Sequence, residues 1–181
     1  MSTPITMGGV SAAQLQNMDL ETAMMMIQSD RASNLEVQLK DQLKGVADRN
    51  KEIANLNKLL TDLRSRRPSG NDTDKWNDLG GTKAEGQALY ARIKEAGLTM
   101  PTGGDVVDES GGNGIYDAKQ KTFDVWAEEI KGKIDALSSS QQMDMLRLQS
   151  LSNKRNEAFE IMTNFVKKMS DNRASIVGNM R

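Results

Sequence analysis

The fold of this protein is decided by residues 130–176, which read IKGKIDALSSSQQMDMLRLQSLSNKRNEAFEIMTNFVKKMSDNRASI. Seam positions recur there every third and fourth residue, mostly apolar, and no proline interrupts them. A mean spacing of 3.5 residues keeps one face of a helix turned towards a partner, so the pattern predicts a long coiled-coil helix. Its seam would contain Ile130, Ile134, Leu137, Gln141, Asp144, Leu148, Leu151, Arg155, Ala158, Met162, Phe165, Met169, Asn172 and Ile176.

A second stripe, which begins at Ala32, supplies the partner helix. Asp19 can cap the start of this helix at Leu20, because its carboxylate can accept hydrogen bonds from the backbone N–H groups of the first turn. The helix should end before Pro68, since a proline disfavours helical backbone at the residue that precedes it. The stripe consists of Leu35, Leu39, Leu43, Val46, Ile53, Leu56, Leu60 and Leu63.

The stretch between the two stripes is rich in glycine and carries no heptad. Within it, Thr82–Ala96 has the pattern of a short amphipathic helix that ends at Gly97 as a C-cap. Residues 106–107 and 115–116 flank a turn-rich segment, which suits a small β-hairpin. We therefore predict a mainly α fold, in which a small irregular α+β head is inserted between the two long helices of an antiparallel helical hairpin, a coiled coil.

These patterns divide the chain into four segments. Residues 1–18 carry no charged side chain, and we expect there either a plain disordered terminus or a disordered N-terminal export segment. The first coiled-coil helix is expected over 19–67 and the variable head over 68–118. The second coiled-coil helix and the assembly segment follow over 119–181, with Phe123 and Trp126 forming a local core under the head.

Antiparallel pairing of the stripes places Leu63, at the end of the first, near Ala127, at the start of the second, so the numbers of paired residues sum to about 190. Arg49 would then lie near Gln141 and Asp144, and all three occupy positions that apolar residues usually fill. Such a polar layer fixes register and partner at a cost in stability, whereas the alternative is that these side chains reach out to water. The predicted hairpin seam consists of Leu39, Val46, Arg49, Ile53, Leu60, Leu137, Asp144 and Leu151.

The last part of the second helix carries more apolar side chains than one partner helix can cover, because a coiled-coil partner covers only a narrow seam. A surplus apolar face usually marks an association surface. We therefore expect this segment to contact other subunits. The candidate self-assembly residues are Met145, Leu148, Phe159, Met162, Phe165, Met169, Ile176 and Val177.

Composition argues against most kinds of catalysis. The chain has no histidine and no cysteine, which removes the usual general base and every thiolate ligand or nucleophile. The acidic residues between 105 and 117 do not follow the spacing of a calcium-binding loop. A net charge of -1 does not favour a nucleic-acid partner. We expect no enzyme, no catalytic or metal-binding residue and no cofactor.

Two stretches of the C-terminal helix resemble a known family. Residues 142–160, QMDMLRLQSLSNKRNEAFE, and 171–181, DNRASIVGNMR, resemble the C-terminal helix of type III secretion needle-tip filament proteins. Bordetella-type tip filament proteins are the most similar, and EspA-like translocator filaments are more distant. The resemblance implies a virulence protein that is exported unfolded, secreted and placed at the needle tip on the bacterial surface. Its implied partners are further copies of itself, the needle subunit, the pore-forming translocators and a cognate chaperone before export.

Two functions fit these features. The first is an extracellular structural protein that self-assembles at the needle tip into a tip complex or filament and supports the translocon for effector delivery. The alternative is a cytosolic helical chaperone or adaptor that binds a secretion partner through the same apolar face. The first should polymerise when pure and reach the culture supernatant, whereas the second should form a finite complex inside the cell.

Overall fold

The computed structural model describes residues 19–69, 75–101 and 116–179. These residues are mainly helical, and the two long helices pack against each other. The prediction of a mainly α protein with two long packed helices is confirmed. In chain order the elements are α1 (Leu20–Ser65), β1 (Lys75–Trp76), a 3-10 helix (Asn77–Gly80), α2 (Lys83–Glu95), β2 (Ala118–Lys119) and α3 (Gln120–Asn179).

The chain divides into two compact units. The terminal unit contains the described residues of 1–46 and 143–181, so it holds the first part of α1 and the last part of α3. The central unit contains the described residues of 47–142. Both units therefore draw on the two long helices, whereas α2 and the short strands belong to the central unit alone.

Helix α1 begins where the sequence predicts its cap. The Thr22 backbone N–H donates to Asp19 Oδ1 over 2.8 Å, and the Thr22 hydroxyl donates to Asp19 Oδ2 over 2.8 Å. These two hydrogen bonds hold the pKa of the Asp19 carboxyl below its ordinary value, and the bond from the Thr22 backbone has the larger effect. The helix ends at Ser65, ahead of the buried Pro68, as the position of that proline predicts.

We expect the first turn of α1 to fray in acid. A carboxyl whose pKa is lower in the folded state stabilises that state above its unfolded-state pKa, and this contribution is lost as the pH falls through the folded-state pKa. Hydrogen-exchange protection of the Thr22 amide should decline over that range. In Asp19→Asn, a cap that does not titrate, the protection should stay constant. An equal decline in both proteins would contradict this role for Asp19.

Helix α2 also follows its sequence prediction. Thr82 is the N-cap: its hydroxyl accepts from the Glu85 backbone N–H, while the Thr82 backbone N–H donates to Glu85 Oε2 over 2.9 Å. Ala96 is the C-cap, and Gly97 follows with a φ of 63°, a conformation that glycine adopts without strain. The predicted helix is confirmed, and its terminal glycine lies one residue after the C-cap instead of at it.

The short strands are not those that the sequence suggested. The predicted hairpin of 106–107 with 115–116 lies outside the described residues, apart from Tyr116. The strands that the structure describes, β1 and β2, pair antiparallel, with Lys75 opposite Lys119 and Trp76 opposite Ala118. Between β1 and α2, Asp78 and Leu79 adopt positive φ angles of 48° and 51°.

Contacts from the two residues just before β2 hold this left-handed turn in place. The Leu79 backbone N–H donates to the Tyr116 carbonyl over 3.0 Å, and that of Asp78 donates to Asp117 Oδ1 over 3.2 Å. The Leu79 side chain is fully buried. Because left-handed backbone costs a non-glycine residue about 1–2 kcal/mol, the burial and these hydrogen bonds must together offset that strain.

Gly86 and Gly132 offer a matched pair of substitutions to alanine. A Cβ at Gly86 would lie 2.6 Å from the Asp78 carbonyl oxygen, whereas one at Gly132 would meet nothing within 4 Å. Gly86→Ala should lower the free energy of unfolding, and Gly132→Ala should raise it by about 0.5–1 kcal/mol, the usual gain of alanine in a helix. Urea denaturation measures both. Equal stabilisation by the two variants would mean that the Asp78 backbone does not lie close enough to α2 to exclude a Cβ at Gly86.

The core of the central unit joins α1, α2 and α3. Trp126 is fully buried and its Nε1 donates to the Thr99 carbonyl over 2.9 Å. Its ring meets that of Phe123 edge-on, with centroids 5.8 Å apart. The predicted burial of Phe123 and Trp126 is confirmed, while the side chain of Trp76, which the sequence places in the same local core, lies outside the described part. The buried cluster consists of Leu56, Leu59, Leu60, Leu63, Leu79, Leu89, Tyr90, Ile93, Leu98, Ala118, Phe123, Trp126 and Ile130.

Candidate assembly surface

In the terminal unit, α1 and α3 meet through a buried polar contact. Gln42 Nε2 donates to Asp144 Oδ1 over 2.7 Å, and Asp144 is only 5% exposed. Nearer the start of α1, Arg31 Nη2 lies 3.8 Å from Glu157 Oε2. A carboxylate can be buried in this way only when hydrogen-bond donors replace the water that it loses. The Gln42 amide is one such donor.

The structure corrects one position of the α1 stripe. Leu43, which the sequence pattern places in the α1 stripe, is 56% exposed, whereas its neighbour Gln42 is half-buried and contacts Asp144. A heptad alternates steps of four and three residues, so the position after Leu39 on the same face is 42 and the next is 46. The prediction that Leu43 lies on this face is therefore wrong, and Gln42 takes its place.

The other predicted seam residues differ in burial. Leu60 and Asp144 are buried, while Leu39, Val46, Arg49, Ile53, Leu137 and Leu151 are half-buried. In the central unit, Gln141 Nε2 donates to Asn50 Oδ1 over 2.7 Å. A second predicted seam position, Gln141, therefore also makes a polar contact between the two long helices. The Arg49–Asp144 pair stays a prediction. Sequence reasoning missed Gln42 and Asn50, and for Gln42 the three-residue step from Leu39 was the available signal.

Part of the predicted assembly segment of α3 is exposed. Met145 is 55% exposed and Phe159 is 44% exposed. Val166, which is not in the predicted assembly set, is 53% exposed. Together with Ser152, which is half-buried, these exposed residues recur every seven positions, and we call Met145, Ser152, Phe159 and Val166 the α3 outer face. Seven residues are nearly two helical turns, so the four side chains lie along one side of the helix.

The remaining predicted assembly residues are less exposed. Leu148, Met162, Phe165 and Met169 are half-buried, and the side chains of Ile176 and Val177 lie outside the described part. Leu148, Met162 and Met169 each follow an outer-face position by three residues, so they border the α3 outer face on the side of the seam. The segment thus presents two adjacent heptad stripes, one half-buried and one exposed.

A second exposed apolar group lies at the start of α1. Leu20, Met24 and Ile27 are exposed, and their spacing of four and then three residues places them on one side of the helix. We call these three residues the α1 outer face. Both outer faces belong to the terminal unit. Apolar side chains gathered on one face, rather than scattered singly, are typical of association surfaces.

The central unit offers weaker candidates for a site. A groove of about 530 Å³ between α1 and α2 has Leu56, Leu59 and Ala96 among its lining residues, with Glu52 and Glu95 adding carboxylates. No cluster of three or more potential metal ligands occurs in the stretches that the structure describes. Among the same stretches, no helix is long and apolar enough to span a membrane.

An ion pair joins the segment just after α1 to the start of α3. Arg67 Nε donates to Asp124 Oδ1 over 2.6 Å, and Arg67 Nη2 donates to Asp124 Oδ2 over 2.8 Å. This two-bond arrangement is the geometry that a guanidinium and a carboxylate prefer. It lowers the pKa of the Asp124 carboxyl. Its role is structural, since it joins two elements of the central unit.

No protein-family model matches this chain, and neither a curated protein nor a solved structure is significantly similar to it. The resemblance of residues 142–160 and 171–181 to needle-tip filament proteins therefore stays a hypothesis. Further support for a function must come from the surfaces of the chain itself, above all from the two outer faces.

Proposed function

We propose that this protein is a secreted structural protein that self-assembles at a type III secretion needle tip into a tip complex or filament supporting the translocon. The observation that carries the self-assembly is the α3 outer face, where Met145, Phe159 and Val166 stay exposed beside the half-buried seam. Burying apolar surface yields about 25 cal/mol per Å², so association that covers such a stripe is favoured. The resemblance of the C-terminal helix supports the secretion role.

The proposed fold is a long antiparallel helical hairpin with a small α+β head between its arms. Two contacts of the terminal unit support the antiparallel sense. Arg31 on α1 pairs with Glu157 on α3, and Gln42 pairs with Asp144, so the α3 number falls as the α1 number rises. The sums of the paired numbers are 188 and 186, close to the value expected from the sequence.

Contacts in the central unit also support the antiparallel sense of the two long helices and a head inserted between them. Its pairs Asn50–Gln141 and Arg67–Asp124 follow the same falling order, each with a sum of 191. Helix α2 and the β1–β2 ladder lie in sequence between α1 and α3, which is where a head would be inserted. These elements support a head that is partly helical and partly extended.

The proposed route to the needle tip follows from the same hypothesis. The chain would be held by a cognate chaperone, exported unfolded and then assembled on the needle subunit, where it would contact the pore-forming translocators. A chain without cysteine suits such a route, because it needs no disulfide to be reduced before threading or re-formed afterwards. Its assembled form would lie outside the cell.

The proposal is tested with the full-length protein. Negative-stain microscopy and analytical ultracentrifugation of the pure protein should show polymers whose amount rises with concentration. In the producing bacterium, the protein should reach the culture supernatant under secretion-inducing conditions, and it should stay inside when the export apparatus is deleted. A cytosolic marker enzyme controls for lysis. A finite complex that stays inside the cell would contradict the proposal and favour the chaperone.

Deleting Asn172–Arg181 should stop polymerisation and leave a soluble helical monomer. The deletion removes the end of α3, where Ile176 and Val177 belong to the predicted assembly set. The shortened protein retains the Gln42–Asp144 and Arg31–Glu157 contacts of the terminal unit, so its helicity by circular dichroism should be little changed. Filaments like those of the parent would show that this segment has no assembly role.

A further inference from the structure

The last part of the α3 outer face matches the α1 outer face in length. On α3, Phe159 and Val166 are seven residues apart, and on α1 Leu20 and Ile27 are also seven apart. Equal spacing at 1.5 Å per residue allows two helices to meet side by side with both ends in register. If they run antiparallel, Leu20 lies beside Val166 and Ile27 beside Phe159, with Met24 between the two contacts.

Charges near the two faces fit the same alignment. Lys167, which follows Val166 on α3, is exposed. Glu21 follows Leu20 in the first turn of α1, after the capping carboxylate of Asp19. The antiparallel alignment that places Leu20 beside Val166 brings Glu21 towards Lys167.

We infer that the α3 outer face of one copy binds the α1 outer face of a second copy, antiparallel, with Leu20 beside Val166. This inference rests on the proposed self-assembly and names the contact that carries it. Because the two faces differ, each added copy leaves one face of each kind free, so this contact builds a filament, or a ring where the rotation between copies closes. A contact between two α3 faces would use the same surface on both copies and stop at a dimer.

Two single substitutions separate these cases. Ile27→Asp places a charge on the α1 outer face, and Phe159→Asp places one on the α3 outer face. Each variant alone should lose the polymers that the parent forms, by ultracentrifugation and negative-stain microscopy. Mixed in equal amounts, they should form a 1:1 heterodimer, because the intact α3 face of the first variant still meets the intact α1 face of the second.

Matched controls use exposed polar residues of the same helices. Ser29→Asp on α1 and Asn164→Asp on α3 add the same charge away from the outer faces, and both variants should polymerise like the parent. Unchanged helicity by circular dichroism shows that each variant is folded. Polymerisation by Ile27→Asp alone, or a mixture that gives no heterodimer, would overturn the inference. A parent that stays monomeric would instead overturn the proposed function.

Cross-linking tests the register without placing a charge in either face. The chain has no cysteine, so a single introduced cysteine reacts without competition. Mixing Leu20→Cys with a size-tagged Val166→Cys should give a disulfide-linked heterodimer, since adjacent helices bring such positions within disulfide reach. Leu20→Cys mixed with Phe159→Cys should not, because the two positions are about 10 Å out of register at 1.5 Å per residue. The reverse result would overturn the proposed alignment.

Discussion

Replacing Trp126 with alanine should lower the free energy of unfolding of the central unit by about 3–5 kcal/mol, the usual cost of removing a buried tryptophan. The side chain is fully buried, packs edge-on against Phe123 and donates from Nε1 to the Thr99 carbonyl. The substitution removes the hydrogen bond and leaves a large cavity where three helices meet. Urea denaturation followed by circular dichroism measures the loss.

Two variants show that the effect belongs to this side chain. Val125→Ala changes the neighbouring, exposed residue of the same helix and should alter the free energy of unfolding by less than about 0.5 kcal/mol. Trp126→Phe keeps most of the aromatic volume and loses the hydrogen bond to Thr99, so its cost should fall between the other two. A Trp126→Ala loss no larger than that of Val125→Ala would contradict the description of this core.

Replacing Asp144 with alanine should lower the free energy of unfolding by about 1–3 kcal/mol, because the Gln42 amide then loses its acceptor in a partly buried seam. Gln42→Ala should also be destabilising, since it removes a donor from a carboxylate that is 5% exposed. Both losses can be measured by thermal unfolding of the full chain. Replacing both residues with leucine should recover most of the stability, because the pair then fits an apolar seam.

The double-mutant cycle decides whether Gln42 and Asp144 act as a pair. Residues in contact usually show a coupling energy of about 0.5–3 kcal/mol, whereas separate residues have additive effects. Gln38, which is exposed on α1, provides the control, and Gln38→Ala with Asp144→Ala should be additive. The same cycle with Arg49→Leu and Asp144→Leu tests the predicted Arg49 pair. Additive effects in that cycle would mean that the two side chains never meet.

Sequence reasoning reached the features whose causes lie within a few residues of one another. Asp19 caps α1 through Thr22, three residues away, and Thr82 caps α2 through Glu85, also three away. Gly97 ends its helix because only a residue free of Cβ strain adopts that backbone cheaply. The two long helices follow from a heptad pattern that is itself a local property of the chain.

The candidate surface was predicted in part, for a related reason. The surplus of apolar residues on α3 is visible in the sequence, yet the sequence pattern puts Leu43 in the α1 stripe and leaves Val166 out of the predicted assembly set. A periodic pattern tells which residues share a face but not which of two adjacent faces the partner helix covers. Only the packed helices separate the half-buried stripe of Met162 and Met169 from the exposed face of Phe159 and Val166.

The sequence by itself therefore determined the helices, their caps and their amphipathic character. The tertiary structure decided the contacts between residues far apart in the chain: Gln42 with Asp144, β1 with β2, and the left-handed Asp78 and Leu79 beneath Tyr116. The physical reason is range. Propensity, capping and periodicity act over a few residues, whereas a distant contact forms only if packing and buried hydrogen bonds offset backbone strain and the entropy of closing the intervening chain.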